Sequence, residues 1–332
     1  QASTKPLAIG FYVNWDDSSY QSLKRGLGSL DWVVPEWIRL QTGDNPVVGE
    51  IDPRALDLIR QAKPNTPIIP MIHNSREGKW DVPALTQAVG DDMKRRQVIQ
   101  ALASFVESNR FQGVCVDFEE VPAAAQPNLL RFMRELRGAF QPRGWVVTQT
   151  APFDNSDWDY RAYAAANDYL MLMAYDEHWA DSAPGSVAGE PWFEETLARR
   201  MSEIAGDRVI VCVGGYGYDW SPGRETAEMT FQEAVLAARD SEAEINFDPV
   251  TRNPYFRYRE EDNSQHTVWF LDAVTAFNQM RAALKYQPAG FALWRLGSED
   301  PSLWSVFGTD RMNADGLGEI KYGYDVDFEG AG

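Results

Sequence analysis

The chain has 332 residues, 44% of them hydrophobic, with 49 acidic against 31 basic side chains and a formal net charge of −18. So acidic a chain excludes a phosphate-tracking nucleic-acid surface, which depends on clustered Lys and Arg, and suits a neutral or cationic ligand. No apolar run approaches the ~18–20 residues of a spanning helix, so no direct membrane insertion is expected of this segment.

Short apolar runs alternate with amphipathic stretches, which predicts a parallel sheet with crossover helices. The strands are expected at 7–14, 32–40, 67–73, 113–119, 145–151, 169–176, 208–216 and 290–296, and helices at 19–30, 53–62, 93–109, 127–140, 158–166, 192–204, 271–286 and 301–307. Eight such units predict an α/β fold of the closed (β/α)8 TIM-barrel kind over 1–315. Asp52-Pro53 and Asp300-Pro301 read as N-cap and first-turn pairs. The connection after the seventh strand is too long for a plain loop. Its residues 221–268, with a helix at 230–241 and a hairpin-like stretch at 245–269, predict a small α+β insertion between strand 7 and helix 7. The Gly- and acid-rich residues 316–332 are expected to form a tail or linker.

The fourth strand carries the most chemistry. In Phe111-Gln112-Gly113-Val114-Cys115-Val116-Asp117-Phe118-Glu119, side chains alternate between faces. Val114, Val116 and Phe118 form an apolar face for the helices, while Cys115, Asp117 and Glu119 share the other. Carboxylates two positions apart lie roughly 6.5–7 Å apart at the Cα atoms, close enough for one charge to hold a proton on the other, as a general acid requires.

Active sites of such barrels lie at the carboxyl ends of the strands. There the sequence places Tyr12, Asn14 and Trp15; Glu36 and Arg39; His73 and Asn74; Asp117 and Glu119; Gln149 and Asp154; Tyr175, Asp176, Glu177, His178 and Trp179; Tyr216, Tyr218 and Trp220; and Trp294 with Arg295. Rings beside acids and amides suit a sugar, whose faces stack and whose hydroxyls hydrogen-bond. Several of these residues have a competing structural reading. His178 can be a hydrogen-bonded structural histidine, Asp154 and Asp157 can serve turns or caps, and Glu36 can form a buried ion pair with Arg39 or Arg295. Cys115 and Cys212 sit in apolar runs without metal-ligand spacing. No phosphate loop, zinc spacing or Ser/His/Asp order is present, so neither cofactor nor metal is implied.

Three ordered motifs resemble glycoside hydrolase family 18, the chitinases and endo-β-N-acetylglucosaminidases. Gly113, Asp117 and Glu119 match its strand-four signature Asp-x-x-Asp-x-Asp-x-Glu, with Gln112 and Cys115 where acids often stand. Met173-Ala174-Tyr175-Asp176 resembles the strand-six Met-x-Tyr-Asp motif, and its continuation Glu177-His178-Trp179 looks like the spore-cortex and peptidoglycan-lytic branch. Trp294 in Phe291-Ala292-Leu293-Trp294 is placed like the strand-eight Trp that floors the cleavage subsite. Phe11-Tyr12-Val13-Asn14-Trp15 followed by 32–40 resembles family-18-type domains of large bacterial proteins that also carry a polysaccharide deacetylase and a family 2 glycosyltransferase.

The resemblance implies a retaining, substrate-assisted glycosidase. Glu119 would be the acid and base, Asp117 the residue orienting the acetamido group, and Tyr175 its hydrogen-bond donor. Asp176, Trp294, Tyr12, Asn14, Trp15, Gln149, Glu177, His178, Trp179 and Tyr216 would bind the substrate. The implied substrate is an oligo- or polysaccharide with β-linked N-acetylglucosamine: peptidoglycan, a chitin-like chain or a partly deacetylated exopolysaccharide. A non-catalytic glycan-guiding domain is the alternative. The start at Gln1 and the resemblance together lead us to expect an extracytoplasmic location, on the periplasmic or secreted side, within a membrane-anchored protein. Strand three offers Met71-Ile72-His73-Asn74 in place of the Ser-x-Gly-Gly of typical chitinases.

Overall fold

The computed structural model describes residues 5–318. Its main sheet is parallel and curls into a barrel: β1 (Leu7–Tyr12), β2 (Trp32–Pro35, continued by Ile38–Leu40), β3 (Met71–His73), β4 (Gly113–Asp117), β5 (Val146–Pro152), β6 (Tyr169–Met173), β7 (Val209–Gly214) and β8 (Gly290–Trp294). Neighbours run β2-β1-β8-β7-β6-β5-β4-β3 and return to the second half of β2. The ring closes because β2 is broken at Glu36-Trp37. Its first half pairs with β1, its second half with β3, and Val33 bridges Ile68 just before β3.

Strand alternation sorts the core into two layers. Ile9, Phe11, Trp32, Val34, Met71, Cys115, Met171, Ile210, Cys212 and Ala292 fill the barrel interior. Val114, Val116, Phe118, Leu170, Leu172, Val211, Val213 and Leu293 point outward and join the helices in the larger core. Both cysteines are thus interior packing residues and are free thiols.

Local chemistry accounts for the helix starts. Asp52 accepts from the Arg54 amide ahead of Pro53–Ala62, and Asp91 accepts from Lys94 ahead of Asp92–Asn109. Thr230 and Glu233 form a reciprocal capping box at Phe231–Asp240. A further helix, Val82–Val89, and a small hairpin, Ser75–Arg76 with Lys79–Trp80, follow β3 without having been expected. The run is short, and its Asp81 cap and first-turn proline were its only signals. The segment after Asp300 is a 3-10 helix, Pro301–Ser305, not an α-helix.

The insertion between β7 and its crossover helix, Ala273–Ala283, holds a five-stranded antiparallel sheet and the helix Phe231–Asp240. It begins earlier than the expected 221. β7 ends at Gly214, where the chain turns at Gly215, whose amide donates to the Trp294 carbonyl at 2.9 Å. A Cβ on Gly215 would lie 3.0 Å from Glu299, so glycine permits the close approach. Tyr216–Trp220 therefore belongs to the insertion, paired between Ala227–Thr230 and Gln265–Phe270. Of the expected tail 316–332, only the end of a short helix, Ala314–Gly318, is described; the rest lies outside the described residues. Among the described residues no helix is long and apolar enough to cross a membrane.

Candidate active site

A cleft of about 1700 Å³ opens over the carboxyl ends of the strands. On its floor β4 ends in Asp117, which is 4% exposed, and the chain continues to a half-buried Glu119. Glu119 lies past the last ladder pair, so its backbone needs another partner. Asn74, fully buried, supplies one: its Oδ1 accepts from the Glu119 amide at 2.9 Å and its Nδ2 donates to the Glu119 carbonyl at 3.0 Å. On β5 the Thr150 hydroxyl donates to Asp117 Oδ1 at 2.6 Å. Burial pushes the Glu119 carboxyl well above the usual range, and the adjacent Asp117 charge and hydrogen bond push it further, with Asp176 and Glu36 adding to the effect. Glu119 therefore keeps its proton at pH values where a free glutamate has lost it.

The end of β6 supplies the facing wall. Asp176 adopts a left-handed backbone, φ 62°, which turns both Tyr175 and Asp176 into the cleft. Although open to the cleft, the Asp176 carboxylate accepts from Tyr216 at 2.5 Å and from Tyr218 at 2.7 Å. Its carboxyl is pushed up because the surrounding wall displaces water, and the two hydroxyls oppose that rise. Burial also raises the Tyr175 hydroxyl, followed by the neighbouring Cys212, Glu119 and Asp117. Tyr175 is thus a neutral donor. Trp294, at the end of β8, lines the same floor edge-on to Phe11, with ring centroids 5.4 Å apart.

Glu119, Asp117, Tyr175, Asp176, Trp294, Asn14, Trp15, Trp179 and Tyr216 are brought together in this cleft. Four residues read as substrate-binding are not. Tyr12 follows the inward Phe11 and so points outward, donating to Asp52 at 2.6 Å. Gln149 precedes the inward Thr150 and is likewise outward, accepting from Asn167 at 2.9 Å. Glu177 accepts from the Ser186 hydroxyl and the Gly189 amide, both at 2.7 Å, and so ties down its own loop. His178 donates from Nδ1 to the Ser186 carbonyl at 2.7 Å, and its ring packs under Gly185. Asn14 reaches the cleft rim, but its amide bridges the Glu50 carbonyl and the Trp37 indole.

Glu36 forms neither expected ion pair. Arg39 pairs with Glu50 at 2.9 Å and Arg295 with Asp16 at 2.8 Å. Glu36 instead accepts from the Trp15 indole at 3.1 Å, and burial pushes its carboxyl up to about 7, against the indole bond and helped by Asp117. Trp15, 66% exposed, is held from below by the Arg295 guanidinium, 4.2 Å from its ring centre. Asp154 pairs with Arg199 at 3.0 Å and Asp157 sits in an Asn155 turn, so both serve the scaffold.

Sequence reasoning placed His73, Asn74 and Tyr218 at the strand ends without giving them a role, and passed over Thr150. The alternation that put Asp117 inward also puts Thr150 inward, so that signal was available. His73 pairs in register with Asp117, and its Nδ1 accepts from the Ser75 amide, which leaves its proton on Nε2. Burial lowers its basicity, with Asp117 opposing. The insertion also gathers Ser264, His266 and Asp219. His266 lies 3.1 Å from Ser264 Oγ and 2.7 Å from Asp219 Oδ1. However, Glu260 sits 3.1 Å from the same Nε2 and Tyr258 stacks on the ring. We therefore read this group as a structural clasp.

A (β/α)8 barrel whose fourth strand ends in a proton-sharing carboxyl pair, set in an aromatic cleft, defines a glycosidase-type barrel. More particularly, the chain belongs to the glycosyl hydrolases family 18, whose family model matches residues 8–300. A candidate sporulation-specific glycosylase of Bacillus subtilis (strain 168), YdhD, is 29% identical over 236 residues, 68% of this chain and 56% of that protein. The cortical fragment-lytic enzyme of the same organism is 23% identical over 239 residues, 68% of this chain and 55% of that one. The chain thus spans about half the length of these relatives. The crystal structure of a chitinase from Chromobacterium violaceum shares the fold, with a TM-score of 0.84 at 24% identity over 95% of this chain and 100% of that one.

Proposed function

We propose that this barrel hydrolyses glycans containing β-linked N-acetylglucosamine, with retention, by substrate assistance. The observation that carries the reading is the Glu119 carboxyl, kept protonated beside Asp117 and facing Tyr175, Asp176 and Trp294 across one cleft. Glu119 gives its proton to the glycosidic oxygen while the acetamido carbonyl oxygen of the substrate attacks its own anomeric carbon. The leaving sugar departs with that proton, and an oxazolinium ring forms. Asp117 accepts the acetamido N–H and balances the ring's charge, while Tyr175 donates to the acetamido oxygen. Glu119, now a carboxylate, takes a proton from the water that opens the ring, so the product keeps the β configuration.

Peptidoglycan, a chitin-like chain and a partly deacetylated exopolysaccharide all fit this chemistry. Beyond the acid pair, Glu36, Glu50, Glu77, Glu120, Asp176, Asp181, Glu225 and Glu228 line the cleft, against Arg39, Arg76 and Lys79. This lining supports a partly deacetylated chain, whose free amines are cationic, over a carboxylate-bearing one. We further propose that the domain works outside the cytoplasm, as one part of a longer membrane-anchored protein with deacetylase and glycosyltransferase modules.

Defined N-acetylglucosamine oligomers, some bearing single free amines, test the reading. The wild type should release β-anomeric product and be inhibited by an oxazoline-mimicking thiazoline, and Glu119→Gln should bind without hydrolysing. Binding without turnover by the wild type would leave a glycan-guiding domain instead, and an α-anomeric product would overturn the mechanism.

A further inference from the structure

Resting on the glycosidase reading above, we infer that Thr150 is a positioning residue that fixes Asp117 in a single orientation toward Glu119, a task for which this chain has no inner carboxyl. The groups around Asp117 lead to this assignment. Below it on β4 lies Cys115, wholly buried, its sulfur 3.9 Å from that of Met171. Burial and the Asp117 charge push the Cys115 thiol well up, so it is neutral and cannot share a proton with a carboxylate at working pH. Above it is Glu119, which hydrogen-bonds Asp117. From β3 comes His73, in register, whose Nδ1 is occupied by the Ser75 amide. Tyr175 and Cys212 face it from β6 and β7, with Asp176 and Glu36 farther out.

The Thr150 hydroxyl is the neutral donor bonded to Asp117, at 2.6 Å, and it is 2% exposed. Its geometry has two consequences. One carboxylate oxygen is occupied by a buried donor, so rotation of Asp117 away from Glu119 would break a hydrogen bond to a charged group. With Oδ1 taken by Thr150, the other carboxylate oxygen is the one left to face Glu119 and an acetamido N–H. Thr150 touches no substrate in this scheme and acts only through Asp117.

Thr150→Val keeps the shape and removes the donor, whereas Thr150→Ser keeps the donor. With acetamido oligomers as substrate, T150V should lose roughly ten- to hundredfold in kcat with little change in KM, the range for a hydrogen bond to a charged group. T150S should restore kcat, a pattern that a packing role would not produce. Thr150→Ala serves in place of the valine if that variant fails to fold, as judged by its melting transition. An active wild type with an indifferent T150V, or a T150S as impaired as T150V, overturns this inference alone. A wild type that turns over no acetamido glycan overturns the glycosidase reading together with it.

Discussion

Glu36→Gln separates the electrostatic cost of the cleft from its hydrogen bonding. The amide retains an oxygen for the Trp15 indole, now met at 3.1 Å, and removes only the charge. In the folded chain the Glu36 carboxyl titrates at about 7 against an ordinary 4.5. Below pH 4.5 it is protonated in both folded and unfolded chains and contributes no difference. Between 4.5 and 7 the unfolded chain has lost the proton that the folded chain still holds, so stability falls as pH rises and levels off above 7. At 1.36 kcal/mol per pH unit the interval corresponds to about 3 kcal/mol; the side chain borders the open cleft, and screening there reduces this to about 1–3 kcal/mol. Urea unfolding of wild type and E36Q at pH 4 and pH 8 measures it. E36Q should match the wild type at pH 4 and exceed it by that amount at pH 8. Equal stability at pH 8, or a gain at both pH values, would refute the assignment of a buried, charge-penalised carboxyl.

Asn74→Ala strips both partners from the Glu119 backbone, and at about 1–3 kcal/mol for each polar group left unpaired it should destabilise the fold by about 2–6 kcal/mol. Its kcat should fall more than its KM rises, because the acid itself is displaced; denaturant titration and steady-state kinetics check the two effects. Tyr218→Phe removes one of the two hydroxyls that oppose the rise of the Asp176 carboxyl. Activity that depends on ionised Asp176 should then be lost at a higher pH than in the wild type as the medium is acidified, which a pH–kcat/KM profile would show.

Strand parity was legible and carried most of the fold. The division of 114, 116 and 118 from 115, 117 and 119 reappears as the outer and inner core layers. Where parity was set aside in favour of nearness to a strand end, residues were misplaced. Tyr12 and Gln149 sit at the correct height but on the outer face, each beside an inward residue. After β6 parity no longer applies, because the left-handed Asp176 turns the chain. Tyr175 and Asp176 then enter the cleft, while Glu177 and His178 fold back on Ser186. Nothing local announces that reversal, nor the glycine turn that moves Tyr216 from barrel to insertion. Asn74 and Thr150 were hard to single out because amides and hydroxyls are common, and their importance comes only from partners 45 and 33 residues away.

Cys115 is the point at which the chain departs most from its family's acidic signature, and the cleft's electrostatics give that departure a direction. A carboxyl at 115 would place a third acid in a sulfur-lined interior of Cys212, Met71 and Met171, where an unpaired charge is strongly disfavoured. Such an acid would have to hold a proton of its own. With a thiol there, position 115 does not compete for the proton that Glu119 holds. Glu119 holds its proton because it is buried and meets the charge and hydrogen bond of Asp117, whose Oδ1 is occupied by Thr150. Of the other cleft acids, Asp176 and Glu36 raise Glu119 through their charges without a hydrogen bond to it. The proton needed for glycosidic cleavage is thereby placed before substrate arrives, beside an Asp117 that a neutral hydroxyl on the neighbouring strand orients.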